Sequence, residues 1–192
     1  ERGPLPTLPT PFPSLTRFLN GGLSPGELVY IGAFPGVGKT ALLLEFARRA
    51  ARCAVSTIIF SREMANLAVA RRLVAQELRI SAAGLKSGVL DDGDRSALLG
   101  GAAKLRGLPI WLNQVATTLA ELSDEVAHFA VSPALGLVIV DYLQLVRTLG
   151  REGRRIEVEA VSAGLKALAL RYRVPVVCAS SLARGGKGKD GD

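Results

Sequence analysis

Five short apolar runs alternate with stretches of helical periodicity: LVYIGA (28–33), STIIFS (56–61), LPIWLN (108–113), LGLVIVDYLQLV (135–146) and VPVVCAS (174–180). Most of these runs are apolar throughout and do not alternate apolar with polar, so both faces of the strands they form must be covered. Helix-length connections between consecutive strands suit parallel pairing, because a parallel pair needs a crossover of a dozen or more residues. The expected fold class is therefore α/β, a mainly parallel twisted sheet with helices on both faces.

The connecting stretches support this. Thr40 to about Arg52 reads as a helix with Leu42, Leu43, Phe46 and Ala47 on its inner face. Leu67 to Arg79 shows a stripe of Leu67, Ala70, Leu73, Val74 and Leu78. Asp91 to Arg106 and Val158 to Arg173 read as two more helices, and Thr118 with Glu121 forms a capping box for a helix running to about Phe129. At 192 residues and 48% hydrophobic composition, the chain suits one packed domain. Residues 1–13 are too proline-rich for a helix and read as a linker or arm, 14–184 as the domain body, and 185–192 as a flexible basic loop or cut end. Glu1 in place of methionine and the loop-like GGKGKDGD ending are what a piece of a longer protein would show.

Some chemistries have little to draw on. Cys53 and Cys178 are isolated and His128 is the sole histidine, which argues against a zinc site, a disulfide framework, or cysteine or histidine catalysis. The apolar run ending at Val140 is too short to span a bilayer, and no charged-then-apolar leader opens the sequence, so a cytoplasmic setting is expected. The formal charge is +7. Arginines and lysines gather after Arg147 with few acids between them, which gives nucleic acid a place among the candidate partners.

The LVYIGA run leads into AFPGVGKT (33–40), close to the phosphate-loop pattern G-x-x-x-x-G-K-[ST] but with Ala33 in place of the first glycine. In such a loop, consecutive backbone N–H groups converge on phosphates at a helix N-terminus, where the dipole also favours anions. Pro35, Gly36, Val37, Gly38, Lys39, Thr40 and Ala41 are thus the expected binding segment for ATP. Lys39 brings charge to the β- and γ-phosphates, and the Thr40 hydroxyl is a Mg²⁺ ligand. Ala33 adds one methyl, which the loop absorbs if φ there is negative. Asp141 follows four apolar strand residues, which puts its carboxylate at the C-terminal edge of the sheet, where ligands bind, as the second metal-holding group. Glu63, in FSREM, falls at the same edge. Its chemistry leaves two readings open: a carboxylate that orients the attacking water, or a first-turn acid that helps the helix after it.

Together these elements resemble the motor domain of DnaB-type replicative helicases, a branch of the RecA-like P-loop NTPases, over Phe12 to Arg184. The opening segment and loop PFPSLTRFLNGGLSPGELVYIGAFPGVGKTALLLEFA, the FSREM stretch, VIVDYLQLV and VEAVSAGLKALALRYRVPVVCAS carry the likeness. Alanine at the position of Ala33 is common in that family. FSREM looks like the family's F-S-L-E-M, whose glutamate is the catalytic base, so the resemblance assigns that role to Glu63, with Lys39 beside it in catalysis. Arg62 stands where the family usually has leucine.

The resemblance implies a homo-oligomeric ring, usually a hexamer, that hydrolyses ATP with Mg²⁺ between subunits while single-stranded DNA threads the centre. A primase and a helicase loader are candidate partners. The segment RTLGREGRRIE (147–157) follows the Asp141 strand where the family has a DNA-gripping loop, so Arg151, Arg154 and Arg155 are the main expected DNA contacts, with Lys187 and Lys189 in the next loop second. These would be backbone contacts without sequence preference, since no aromatic residue interrupts the loops.

Two departures stand out. Members usually end the last matched strand in S-Q-L-S-R, whose glutamine senses the γ-phosphate; here it is SSLAR, with Ser181 at the sensor position. The family's arginine finger lies beyond the matched region, so this chain by itself is expected to bind ATP better than it hydrolyses it. A helicase motor is the leading expectation. The alternatives are a RecA-like DNA-binding ATPase without unwinding activity, and a non-hydrolysing nucleotide-binding regulator of helicase rings.

Overall fold

All five expected strands form, β1 (Leu28–Ala33), β2 (Ser56–Ser61), β3 (Ile110–Asn113), β4 (Leu135–Asp141) and β5 (Val176–Ser181), and they join in one sheet of order β1-β5-β4-β2-β3. Every neighbouring pair is parallel. The structure, a computed structural model, describes residues 7–131, 135–143, 146 and 154–182, without the side chains of 154 and 155. The helices are α1 (Pro13–Phe18), α2 (Lys39–Arg52), α3 (Asn66–Leu78), α4 (Ala82–Ser87), α5 (Asp92–Arg106), α6 (Leu119–Ala130) and α7 (Arg154–Tyr172). No helix among the described residues is long and apolar enough to cross a membrane.

The uniform apolarity of the strands has the expected cause. Ile58, Phe60, Val138, Val140, Val176 and Cys178 face α6 and α7, in one core with Leu122, Val126, Val161 and Leu165. Their chain neighbours Ile59, Leu137, Ile139, Val177 and Ala179 face α2 and α3, in a second core with Leu43, Leu44, Phe46, Val69 and Leu73. Alternate side chains of each strand thus fill opposite layers. The capping box of α6 is present in full, with the Thr118 hydroxyl accepting from Glu121 N and the Glu121 carboxylate accepting from Thr118 N.

Register sets up the site. Ala33 is paired with Ser181, and Ser61 with Asp141, so the C-terminal ends of β1, β5, β4 and β2 lie along one edge of the sheet.

The structure departs from the expectations at several points. Strand β1 pairs only with β5 among the described residues and is an edge strand, with Tyr30 40% exposed, so LVYIGA is half-buried rather than buried. The inner face of α3 is Val69, Leu73 and the charged Glu77, while Leu67 is 61% exposed. A buried, ion-paired glutamate counts as polar in any hydrophobic pattern and shifts the apparent stripe. Helix α7 starts at Arg154, not Val158, so Arg154 and Arg155 belong to its first turn and not to a loop. Helices α1 and α4 had no counterpart in the sequence pattern. The described end of the proline-rich arm is packed: Leu8 is buried, exchanges two backbone hydrogen bonds with Leu23, and joins the α2 core.

Candidate nucleotide site

Strand β1 delivers the chain into the 33–40 loop. Gly36 and Gly38 adopt φ of 83° and 108°. A Cβ at either would meet open space, so backbone conformation rather than crowding requires glycine there. Ala33 is the last residue of β1 and is not among the residues with positive φ, which explains why its methyl is tolerated. Gly38 is the N-cap of α2 and supplies no side-chain cap, so the first N–H groups of the helix keep their capacity to bind an anion.

The residues expected to act together come together. A cleft of about 330 Å³ is lined by Pro35, Gly36, Gly38, Lys39, Thr40, Glu63 and Ser181, along with Arg72 and Tyr142. Val37 and Ala41 belong to the loop and the first turn of α2 but do not line the cleft. Lys39 Nζ donates to the carbonyls of Ala33 at 3.1 Å and Phe34 at 3.3 Å, which holds the ammonium at the mouth of the loop. Thr40 Oγ1 donates to Asp141 Oδ2 at 2.7 Å across 101 residues of sequence.

Asp141 is 2% exposed. Burial pushes its pKa above the ordinary carboxylate value, and nearby Glu63 adds to this; the Thr40 hydrogen bond and the charges of Lys39 and Arg72 oppose it. Its Oδ1 is buried without a hydrogen-bond partner among the described residues. A carboxylate with one oxygen held by a hydroxyl and the other unpaired, facing a phosphate-type loop, is a donor set that suits a hard cation. No cluster of three His, Cys, Asp or Glu exists among the described residues, so any cation here would complete its shell with phosphate oxygens and water, as Mg²⁺ commonly does.

Glu63 is exposed at the lip of the cleft, on a turn held from several sides. Arg62 N donates to Asp141 O at 2.9 Å, and Arg62 Nη1 donates to Gln114 O at 2.7 Å. Asn66 N donates to Gln114 Oε1 at 2.7 Å, and Asn66 Nδ2 to Leu112 O at 3.1 Å. The arginine at position 62 thus ties the Glu63 turn to the end of β3.

Sequence reasoning missed Arg72 and Tyr142. Tyr142 directly follows Asp141, a position that had a signal. Arg72 had none, because its face of α3 depends on a helix phase that buried Glu77 disguised. Arg151, Lys187 and Lys189 lie outside the described residues, as do the side chains of Arg154 and Arg155.

Residues 7–191 match the family described as DnaB-like helicase C terminal domain. The replicative DNA helicase DnaB of Leifsonia xyli subsp. xyli is 34% identical over 186 residues, covering 95% of this chain and 40% of that protein. The replicative DNA helicase DnaC of Bacillus subtilis is 31% identical over 189 residues, covering 96% and 41%. Among solved structures, one described as an ATPase domain superposes with a TM-score of 0.87 at 24% identity, over 95% of this chain and 66% of that one. A DnaB-like replicative helicase studied for its interactions with primase gives the same TM-score and identity, over 45% of its own length. The chain thus spans about two fifths of the length of the curated relatives it matches. Fold, cleft and sequence agree, and the chain belongs to the DnaB-like helicase C-terminal domain family, with the RecA-like ATPase fold.

Proposed function

We propose that this chain is an ATP-hydrolysing motor that translocates on single-stranded DNA in replication, working in a homo-oligomeric ring of the hexameric kind. The observation that carries the reading is the convergence of Lys39, Thr40 and Glu63 on one cleft, with buried Asp141 in direct contact with Thr40. In this reading the α2 N-terminus and the 35–39 backbone bind the phosphates of ATP, and the Lys39 ammonium offsets their charge. Thr40 Oγ1 and the free Oδ1 of Asp141 would hold Mg²⁺, which when bound neutralises charge on the transferred phosphoryl group. The Glu63 carboxylate, at the open lip, orients the attacking water and accepts its proton. Arg72 contributes positive charge from within the same chain.

DNA is held through its backbone by Arg151, Arg154 and Arg155, with Lys187 and Lys189 as a second set. A primase and a helicase loader are the protein partners this reading implies. The test is ATP turnover against protein concentration, with and without single-stranded DNA, using Lys39→Ala as the blank. Turnover that climbs faster than linearly with protein and responds to DNA supports sites completed between subunits. Linear turnover indifferent to DNA overturns the motor reading.

One observation favours a second reading, a RecA-like DNA-binding ATPase that does not unwind. Ser181 lines the cleft where the family's glutamine would reach the γ-phosphate. Its shorter side chain weakens the link from hydrolysis to DNA movement. Strand displacement on a forked substrate separates the two readings.

A further inference from the structure

The C-terminal half of α2 carries three arginines with different fates. Arg48 is 7% exposed and bonds both Glu45 and Glu77. Arg52 reaches Glu77 at 3.1 Å. Arg49 forms no side-chain hydrogen bond or ion pair among the described residues, yet its Nε is shut off from solvent. The Nε is enclosed by the protein itself, whereas the terminal nitrogens of Arg49 are not shut off and remain open to an acceptor. The α2 C-terminal dipole attracts a cation here but gives that N–H no acceptor.

Arg49 lines a recess of about 420 Å³ between α1 and α2, with Arg17 and Arg52 on its other sides and prolines 9, 11 and 13 as an apolar wall. Among the described residues its one carboxylate, Glu45, is already engaged by Arg48. Arg17 likewise has no carboxylate partner among the described residues. The wall is well fastened: Thr10 N donates to Thr16 Oγ1 at 2.9 Å, Thr10 Oγ1 donates to Phe12 O at 2.8 Å, and Leu8 N donates to Leu23 O at 2.9 Å. The recess is therefore a fixed concavity with excess positive charge.

We propose that this recess docks an acidic segment of a partner protein, whose carboxylates are taken by Arg17 and Arg49. The charge is complementary, and the geometry favours a peptide over a nucleic acid. The arginines converge on a single proline-walled recess, whereas phosphate-backbone binding spreads cations along a track. Phe12, the N-cap of α1, and Phe18, next to Arg17, are 45% and 81% exposed, and aromatic residues with arginine are the side chains enriched at protein interfaces. The site is separate from the nucleotide cleft: Arg49 follows Lys39 by ten residues of α2, about 15 Å along the axis.

The test is fluorescence anisotropy with a fluorescein-labelled peptide of Glu-Glu-Leu repeats, and in parallel with labelled oligo-dT, on the full 192-residue chain. Arg17→Gln and Arg49→Gln are each expected to weaken peptide binding by about tenfold or more, the effect of a central interface arginine, with fluorescent ATP-analogue binding unchanged. Should Arg49→Gln fail to fold, Arg17→Gln, on an exposed position, decides alone. Equal peptide binding by wild type and Arg17→Gln overturns the proposal. So does oligo-dT binding that falls in the variants while peptide binding does not, which would assign the recess to a nucleic-acid backbone.

Discussion

Glu77 is where charge and fold are most tightly linked, and it allows a quantitative prediction. Its side chain is 1% exposed, with Lys104 Nζ at 2.6 Å, Arg48 Nη2 at 2.8 Å and Arg52 Nη2 at 3.1 Å. Burial by itself would raise the pKa of this carboxyl, but the bonds from Lys104 and Arg48 and the charges of Arg48 and Arg52 prevail and lower it from 4.5 to about 2. A carboxylate whose folded pKa lies below its unfolded one stabilises the fold above the unfolded value. That contribution is complete at pH 7 and is lost as pH falls from about 4.5 through about 2. At about 1.4 kcal/mol per tenfold difference in proton affinity, it amounts to about 3 kcal/mol. Removing one partner of a buried ion pair costs about 3–5 kcal/mol by a separate route, so the two agree.

Glu77→Gln keeps the side-chain volume and removes only the charge. It is expected to lower unfolding free energy by about 3 kcal/mol at neutral pH, a large share of the ~5–15 kcal/mol typical of a domain. The assay is urea unfolding followed by circular dichroism, wild type against variant, from pH 7 downward. The gap should stay constant to about pH 5 and close as acid is added. A variant within about 0.5 kcal/mol of wild type at pH 7, the range of an ordinary surface change, would refute the reasoning. A gap indifferent to pH would do the same. The result bears on function because Glu77 pins α3, which carries Arg72 into the cleft, against α2, which carries Lys39 and Thr40.

Lys39→Ala should abolish binding of a fluorescent ATP analogue, and retained affinity would remove the loop from the site. Glu63→Gln should leave that binding intact and stop turnover, with phosphate release as the readout. Arg72→Ala, which takes a positive charge from beside Asp141, should weaken ATP more than ADP because ATP carries the extra phosphate; equal losses for both would place Arg72 outside the γ-phosphate's reach. Replacing Arg151, Arg154 and Arg155 with glutamine should flatten the salt dependence of single-stranded DNA binding by about 0.7 in log–log slope for each lost contact. An unaltered slope would return those arginines to a solvated role.

The strands were legible because each is apolar on both faces, a pattern that a covered parallel sheet imposes and few other settings do. The loop was legible because glycine at 36 and 38 answers a backbone requirement at positive φ. What stayed hidden depends on tertiary partners. The sheet order cannot be read from local pattern, so nothing in LVYIGA marks it as an edge strand. Glu77 falls outside any apolar stripe, and its burial depends on Arg48, Arg52 and Lys104, which local pattern does not show; this turned the face of α3 and concealed Arg72. The first turn of α7 was read as loop because Gly153 and the arginine pair after it carry no apolar periodicity.

The sheet order also explains why one substitution weighs so heavily on the functional reading. Strand β5 lies between β1 and β4, so whatever ends β5 stands between the phosphate loop and the Asp141 carboxylate. Ser181 is paired with Ala33, the residue that opens the loop, and it lines the cleft with Lys39 and Glu63. On the proposed reading, a glutamine side chain at this position would extend further into the cleft toward a bound phosphate. Serine occupies the same place with two fewer methylene-length steps of reach. On the proposed reading, the groups for binding phosphate and activating water are all present in the cleft, and the departure falls at Ser181. Loss of unwinding with retained hydrolysis would favour the ATPase that only binds DNA, and strand displacement on a forked substrate would favour the helicase motor.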